Sequence, residues 1–211
     1  MLRNTQATRG RDRAQQEVGV HLIVLFVLGC GLAACNHISL DPAPVVPTAQ
    51  PLPYSARVEL TEVGAYLVQP GATMIADPRL QNHVTGKLPS VDRAKPQWEQ
   101  AVLEYLAARK TFRQVVTEGP ADLSMTLRVL IYVDPGVSFK FNHVYVATIE
   151  GALRDPRNGR ALIEYAGKGK AIGEVSRGGT DDDRDPINRA VRAALNDLFE
   201  KLERDKRLEH L

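Results

Sequence analysis

The sequence predicts an α+β fold: a two-layer sandwich in which an antiparallel-rich sheet of about four strands carries two amphipathic helices on one face. Three observations predict it. Leu123, Met125, Leu127, Val129, Ile131 and Val133 take every second position, the period of a strand with one buried face. Ile187, Ala190, Val191, Ala194, Leu195, Leu198, Phe199 and Leu202 recur at helical spacing. Between two alternating stretches lies Asp155-Pro156-Arg157-Asn158-Gly159, a hairpin signal in which Asn-Gly supplies positive φ. Strands whose apolar stripes share one side need helices laid over them.

The elements follow in order. Arg57 to Val63 alternates and reads as the first strand, with Ala65 to Val68 continuing it or pairing with it beyond Gly64. Gln69 to Lys95 is punctuated by Pro70-Gly71, Asp77-Pro78, Asn82, Gly86 and Pro89. It predicts a long irregular excursion, and loops of that length are candidate contact surfaces. Pro96 opens a helix in its first turn, where a missing N–H costs nothing. Trp98, Ala101, Val102, Tyr105 and Leu106 form its buried face; Glu99, Glu104, Arg109 and Lys110 lie off it. Phe112 to Val116 is a short strand. The second face of the long strand is polar at its start (Asp122, Ser124, Thr126, Arg128) and apolar at its end (Leu130, Tyr132). That end is either covered by the excursion or used for binding. Tyr145 to Leu153 and Ala161 to Tyr165 complete a meander. Gly173 to Asp183 reads as a loop, after which Asp185 caps and Pro186 opens the last helix.

Ahead of all this stands Leu22 to Cys35, LIVLFVLGCGLAAC, preceded by Arg3, Arg9, Arg11 and Arg13. A basic start, an apolar run and small residues at a cleavage point make an export signal. As a helix the run spans about 21 Å at ~1.5 Å per residue, short of the roughly 30 Å of a hydrocarbon core. An uncleaved anchor from Val18 to Cys35 is the competing reading. Leu32-Ala33-Ala34-Cys35 resembles the lipobox of bacterial lipoproteins. The resemblance implies cleavage between Ala34 and Cys35, and lipid attachment at Cys35 with thioether-linked diacylglycerol and palmitate. Two or more chains give stable anchoring where one is marginal. Cys30 is the alternative, with bulky Leu28 where a small residue is expected. Asn36, rather than aspartate, implies the outer membrane over the inner, facing the periplasm.

The expected division is therefore a signal peptide over 1–34, a tether over 35–56, a single domain over 57–204 and a charged, fraying tail over 205–211. Pro42, Pro44, Pro47, Pro51 and Pro53 give the tether extended, polyproline-like character. The leader's four arginines and two acids account for the whole formal surplus of +2, so the remainder is electroneutral. No global field draws it to nucleic acid. Cys30 and Cys35 are the chain's two cysteines; with one removed and the other lipidated, a disulfide framework and a thiolate site are both excluded.

Chemistry-bearing motifs are sparse. His37, His83, His143 and His210 show no metal-ligand spacing. Asp181-Asp182-Asp183-Arg184-Asp185 lacks the alternation of a calcium loop and reads as a helix cap in an acidic loop. Gly167-Lys168-Gly169-Lys170 has the wrong spacing for a phosphate loop and reads as glycine at a twisted or bulged edge strand. Arg154, Arg157 and Arg160 surround the Asn158-Gly159 turn and form, with Leu130 and Tyr132, the candidate contact surface. No catalytic residue, metal or cofactor is expected. In layout the domain resembles small β-α-β-β-β-α envelope lipoproteins, which implies a non-enzymatic accessory or assembly factor held at the membrane by its N-terminal lipid, with an envelope protein as partner. A binder of lipid, glycan or another small apolar ligand is the alternative.

Overall fold

The computed structural model describes residues 51–74, 79–88, 91, 93–136, 143–173 and 186–210. The leader, Ala34, Cys35, Asn36, His37, the tether to residue 50 and the acidic run 181–185 lie outside the described residues. Six strands form one sheet: β1 (Leu52–Val68), β2 (Val84–Lys87), β3 (Phe112–Val116), β4 (Leu123–Asp134), β5 (His143–Arg154) and β6 (Ala161–Gly173). Two helices, α1 (Lys95–Arg109) and α2 (Pro186–Glu203), pack on it. The spatial order is β2-β1-β4-β5-β6, with β3 beside β1.

The sheet has six strands where about four were expected, and it is mixed. β1 runs parallel to both β3 and β4, while β4-β5-β6 is the expected antiparallel meander. β1 is one long strand, so Ala65 to Val68 continues it beyond Gly64. It begins at Leu52 rather than Arg57, and the last part of the expected tether therefore belongs to the sheet. Pro53 is tolerated because it falls at the register shift between Leu52 and Ser55 in the pairing with β3. The 69–95 excursion is also more ordered than expected. It contains 3₁₀ turns at Ala72–Met74 and Leu80–His83, and β2 pairs with Tyr66–Val68.

The helices share a face of the sheet. Trp98, Ala101, Val102, Tyr105 and Leu106 of α1 and Ala194, Leu195, Leu198, Phe199 and Leu202 of α2 join the inward stripes of β1, β4 and β5 in one core. Phe199 ties the layers together, its ring centroid 6.2 Å from Tyr105 and 6.5 Å, edge-on, from Phe112. Each such side chain contributes about 1.5–3 kcal/mol by leaving water. α2 lies close to β6 because Gly167 and Gly169 face it. A Cβ on Gly169 would stand 2.0 Å from the Ala190 carbonyl oxygen, and one on Gly167 2.1 Å from that of Ala194. These glycines serve helix approach rather than a bulge; the register shift in this pairing lies at Leu153/Arg154.

Side chains of α2 also close the outer edge of β6. Asp197 Oδ2 accepts from the Lys168 N–H at 2.9 Å, Lys201 Nζ donates to the Ala166 carbonyl at 2.8 Å, and Arg189 donates to the Ile172 carbonyl at 2.9 Å. An edge whose backbone groups are occupied offers less template for a foreign strand.

The expected fraying of the tail is not observed. Lys206–His210 forms a 3₁₀ turn, Leu208 is buried in the main core, and Asp205 accepts from the Tyr165 hydroxyl at 2.8 Å. Burial of Leu208 and the hydrogen bond from Tyr165 together dock it.

Candidate binding surface

The helices leave the second face of the sheet to other cover. Strand alternation places Glu62 on β1, Arg128 on β4 and Glu150 on β5 side by side there. Arg128 donates from Nε to Glu62 Oε2 at 2.6 Å and from Nη1 to Glu150 Oε2 at 3.3 Å. The hydrogen bond to Glu62 raises the Arg128 pKa against the opposing effect of burial. All three side chains are 40–51% exposed. They form a fixed row of alternating charge open to solvent.

Further along the same face the row turns apolar. Tyr66 stacks on Tyr132 with ring centroids 5.9 Å apart. Gly64 lets the Tyr66 ring fold back, since a Cβ there would fall 2.7 Å from the Tyr66 hydroxyl. Leu130, Tyr132, Val68 and Ala72 form a small second core with Leu80 and Val146 at its margin. Leu130 is 4% and Tyr132 6% exposed. Of the two alternatives the sequence left open for this end, cover by the excursion is the one observed, and Leu130 and Tyr132 form a floor beneath it.

Asp134, at the end of β4, secures this cover. Its Oδ1 accepts from the N–H groups of Gly71 and Gly136, each at 2.8 Å; its Oδ2 accepts from the Thr73 N–H at 2.9 Å and the Thr73 hydroxyl at 2.7 Å. Burial alone would raise its pKa. The hydrogen bonds outweigh burial and hold the carboxyl below the ordinary value.

Beside the floor lies a groove of about 300 Å³ whose walls include Leu130, Tyr132, Val146 and Leu80, with Arg79, Lys168, Lys170 and Glu150 also lining it. The two lysines reach it because Lys168 pairs with Thr148 and Lys170 with Val146 on the open face, opposite the glycines that face α2. The alternation Gly-Lys-Gly-Lys was legible as two faces of one strand; what each face met was not.

The arginine cluster is placed as expected, at an exposed turn between β5 and β6. Arg154 Nη1 donates to the Gly159 carbonyl at 3.2 Å, while Arg157 is 90% exposed. Positive φ is supplied by Gly159 alone, at +68°, so the turn is not built on Asn-Gly as a pair. Asn158 instead accepts from the Arg160 N–H at 2.8 Å. The cluster and the Leu130/Tyr132 floor occupy different parts of the domain, and Cys35 and Ala34 fall outside the described residues.

Of the histidines, His83 ends a 3₁₀ turn and His143 begins β5, its Nδ1 3.4 Å from the Tyr145 hydroxyl. Among the described residues no group of three or more His, Cys, Asp or Glu side chains is arranged to hold a metal ion. Nor, among them, is any helix long and apolar enough to cross a membrane.

No protein-family model matches the chain, and no curated protein matches it significantly. Among solved structures it is similar to protein XCC0632 of Xanthomonas campestris, of the DUF330 family, at 13% identity and a TM-score of 0.46, over 79% of this chain and 94% of that one. A protein of Caulobacter crescentus CB15 described as a lipoprotein matches at 14% identity and a TM-score of 0.36, covering 53% and 84%. A Helicobacter pylori homologue of the neuraminyllactose-binding hemagglutinin matches at 13% and 0.36, covering 82% and 95%.

Proposed function

We propose that the chain is a lipid-anchored envelope lipoprotein of the outer membrane, facing the periplasm, and that its domain is a non-enzymatic accessory or assembly factor binding a protein partner. The anchor reading rests on Leu32-Ala33-Ala34-Cys35 and the proline-rich stretch behind it. The observation that carries partner binding is the open sheet face, where Glu62, Arg128 and Glu150 are exposed yet already held in place by one another. Charges fixed before encounter lose little entropy on binding and select a partner of complementary pattern.

In-cell photocrosslinking from Thr126 or Thr148, which flank this row, is expected to capture one envelope protein repeatedly, with Glu200 on α2 as the silent control. Equal capture from all three positions, or none, overturns the docking face. Radiolabelled palmitate entering the chain, and not its Cys35→Ser variant, tests the anchor separately.

The groove of about 300 Å³ favours a second reading, a small ligand with an apolar body. Native mass spectrometry of envelope-purified protein distinguishes it, since a retained small molecule supports this reading.

A further inference from the structure

The chain enters the sheet at Leu52, and the register fixes what lies at that end. Ala56 stands beside Leu123, Ser124 beside Arg154, and Arg154 beside Ala161. The start of β1, the start of β4 and the β5–β6 turn therefore share one end of the sheet, while Val68, Asp134, His143 and Gly173 mark the other. Strands about 4.8 Å apart put the turn roughly 10–15 Å to the side of the chain's entry. A hollow of about 480 Å³ joins the two, with Tyr54 of β1 on one side and Pro156, Arg157 and Leu162 of the hairpin on the other.

Arg154, half-buried, and Arg157 and Arg160, exposed, share that tip with the carboxylate of Asp155. That carboxylate accepts from the Arg157 N–H at 2.9 Å and from Asn158 Nδ2 at 3.1 Å, and it pairs with Arg157 Nε at 3.6 Å, one acid against three guanidiniums. Asp122, also lining the hollow, accepts from the Ser55 N–H and hydroxyl at 2.7 Å each and from Arg113 at 3.2 Å. Glu164 stands within β6 beside Ala152, beyond the turn itself. Beyond the leader the chain is electroneutral as a whole, so the tip is a local excess of guanidinium.

We propose that this end of the domain docks on the anionic phospholipid surface that holds the anchor, with Arg154, Arg157 and Arg160 meeting lipid phosphate. The proposal rests on lipidation of Cys35. Anchoring brings the bilayer to the tip: residues 35–51, fully extended at about 3.1 Å each, reach about 50 Å, and they join the domain at its arginine-bearing end. A weak contact made intramolecular in this way gains a high effective concentration. Guanidinium forks match phosphate oxygens two at a time.

The test uses the full, lipidated chain in vesicles of phosphatidylethanolamine and phosphatidylglycerol, with phosphatidylcholine vesicles for comparison. A fluorophore is placed through Pro156→Cys at the tip or Thr85→Cys at the far end, and the lipid headgroups carry a quencher. Quenching is expected at position 156, on the anionic vesicles, and to weaken with salt. The triple variant Arg154→Glu, Arg157→Glu, Arg160→Glu should lower the docked-to-undocked ratio on the order of 100-fold, at about 1 kcal/mol per arginine near an anionic surface. It should still float with the vesicles. The milder pair Arg157→Gln, Arg160→Gln gives a partial loss and guards against misfolding of the triple variant. Flotation with equal quenching at both positions, or quenching indifferent to these variants, overturns docking and leaves the anchor standing. A Cys35→Ser chain that floats equally well overturns the anchor, and docking with it.

Discussion

Arg109 and Glu203 meet as a two-pronged ion pair, Nε to Oε1 and Nη2 to Oε2 both at 3.0 Å, with side chains only 2% and 4% exposed. They join the C-terminal ends of α1 and α2. Around them, Arg109 Nη1 donates to Asn196 Oδ1 at 3.0 Å, Tyr105 donates to the same oxygen at 2.6 Å, and Thr111 donates to Glu203 Oε1 at 2.7 Å. Burial pushes the Tyr105 hydroxyl up to about 12. Removing one partner leaves a buried charge unpaired, which costs about 3–5 kcal/mol, while replacing both with apolar groups is often neutral. Arg109→Met should therefore lower the urea midpoint sharply, and Arg109→Met with Glu203→Leu should restore most of it. A double variant as weak as the single one would refute this account.

Asp134 gives a prediction in pH. Its folded-state pKa is depressed, so its stabilising contribution is complete above the unfolded value of about 3.9 and disappears as pH falls through the folded value. Asp134→Ala should speed amide exchange at Gly71, Thr73 and Gly136 near neutrality. Wild type and variant should converge in strong acid. Hydrogen exchange followed by NMR against pH measures both.

Gly169→Ala places a methyl where the α2 backbone already stands. The expected loss exceeds the 1–3 kcal/mol usual for overpacking, because the Ala190 carbonyl cannot swing aside without breaking its helix. Gly86→Ala is the control: its nearest neighbour is Leu67 Cδ1 at 3.8 Å. Thermal unfolding of the two should differ widely.

Asp197→Ala with Lys201→Ala would expose backbone groups of β6. Surface pairs of this kind contribute about 0–1 kcal/mol, so the unfolding midpoint should barely move. Light scattering on standing at high concentration should nevertheless rise, reporting edge-to-edge association.

The meander and both helices were legible because their apolar periods are long and unbroken, as in Leu123–Val133 and Ile187–Leu202. The extra strands were not. Val84-Thr85-Gly86-Lys87 has no alternation of its own and becomes a strand because the end of β1 offers it a ladder. Arg109 looked like a surface residue, since its burial depends on Glu203, ninety-four positions away. The fate of Leu130 and Tyr132 turned on Asp134, whose aspartate-proline-glycine context signalled a turn and nothing about the loop it secures. Of the candidate contact residues, Arg157 and Arg160 are exposed as their turn implied, while Arg154, at the end of β5, is half-buried.

β1 is made first and lies inside the sheet, yet its parallel neighbour arrives late: Ser55 and Asp122 are separated by sixty-seven positions. Until β4 exists, a seventeen-residue segment of high strand propensity has no native mate for most of its length. Pairings this distant make folding slow, and an orphaned strand can recruit a neighbour's in the meantime. Folding of the domain is accordingly a race between arrival of its second half and misassociation of its first.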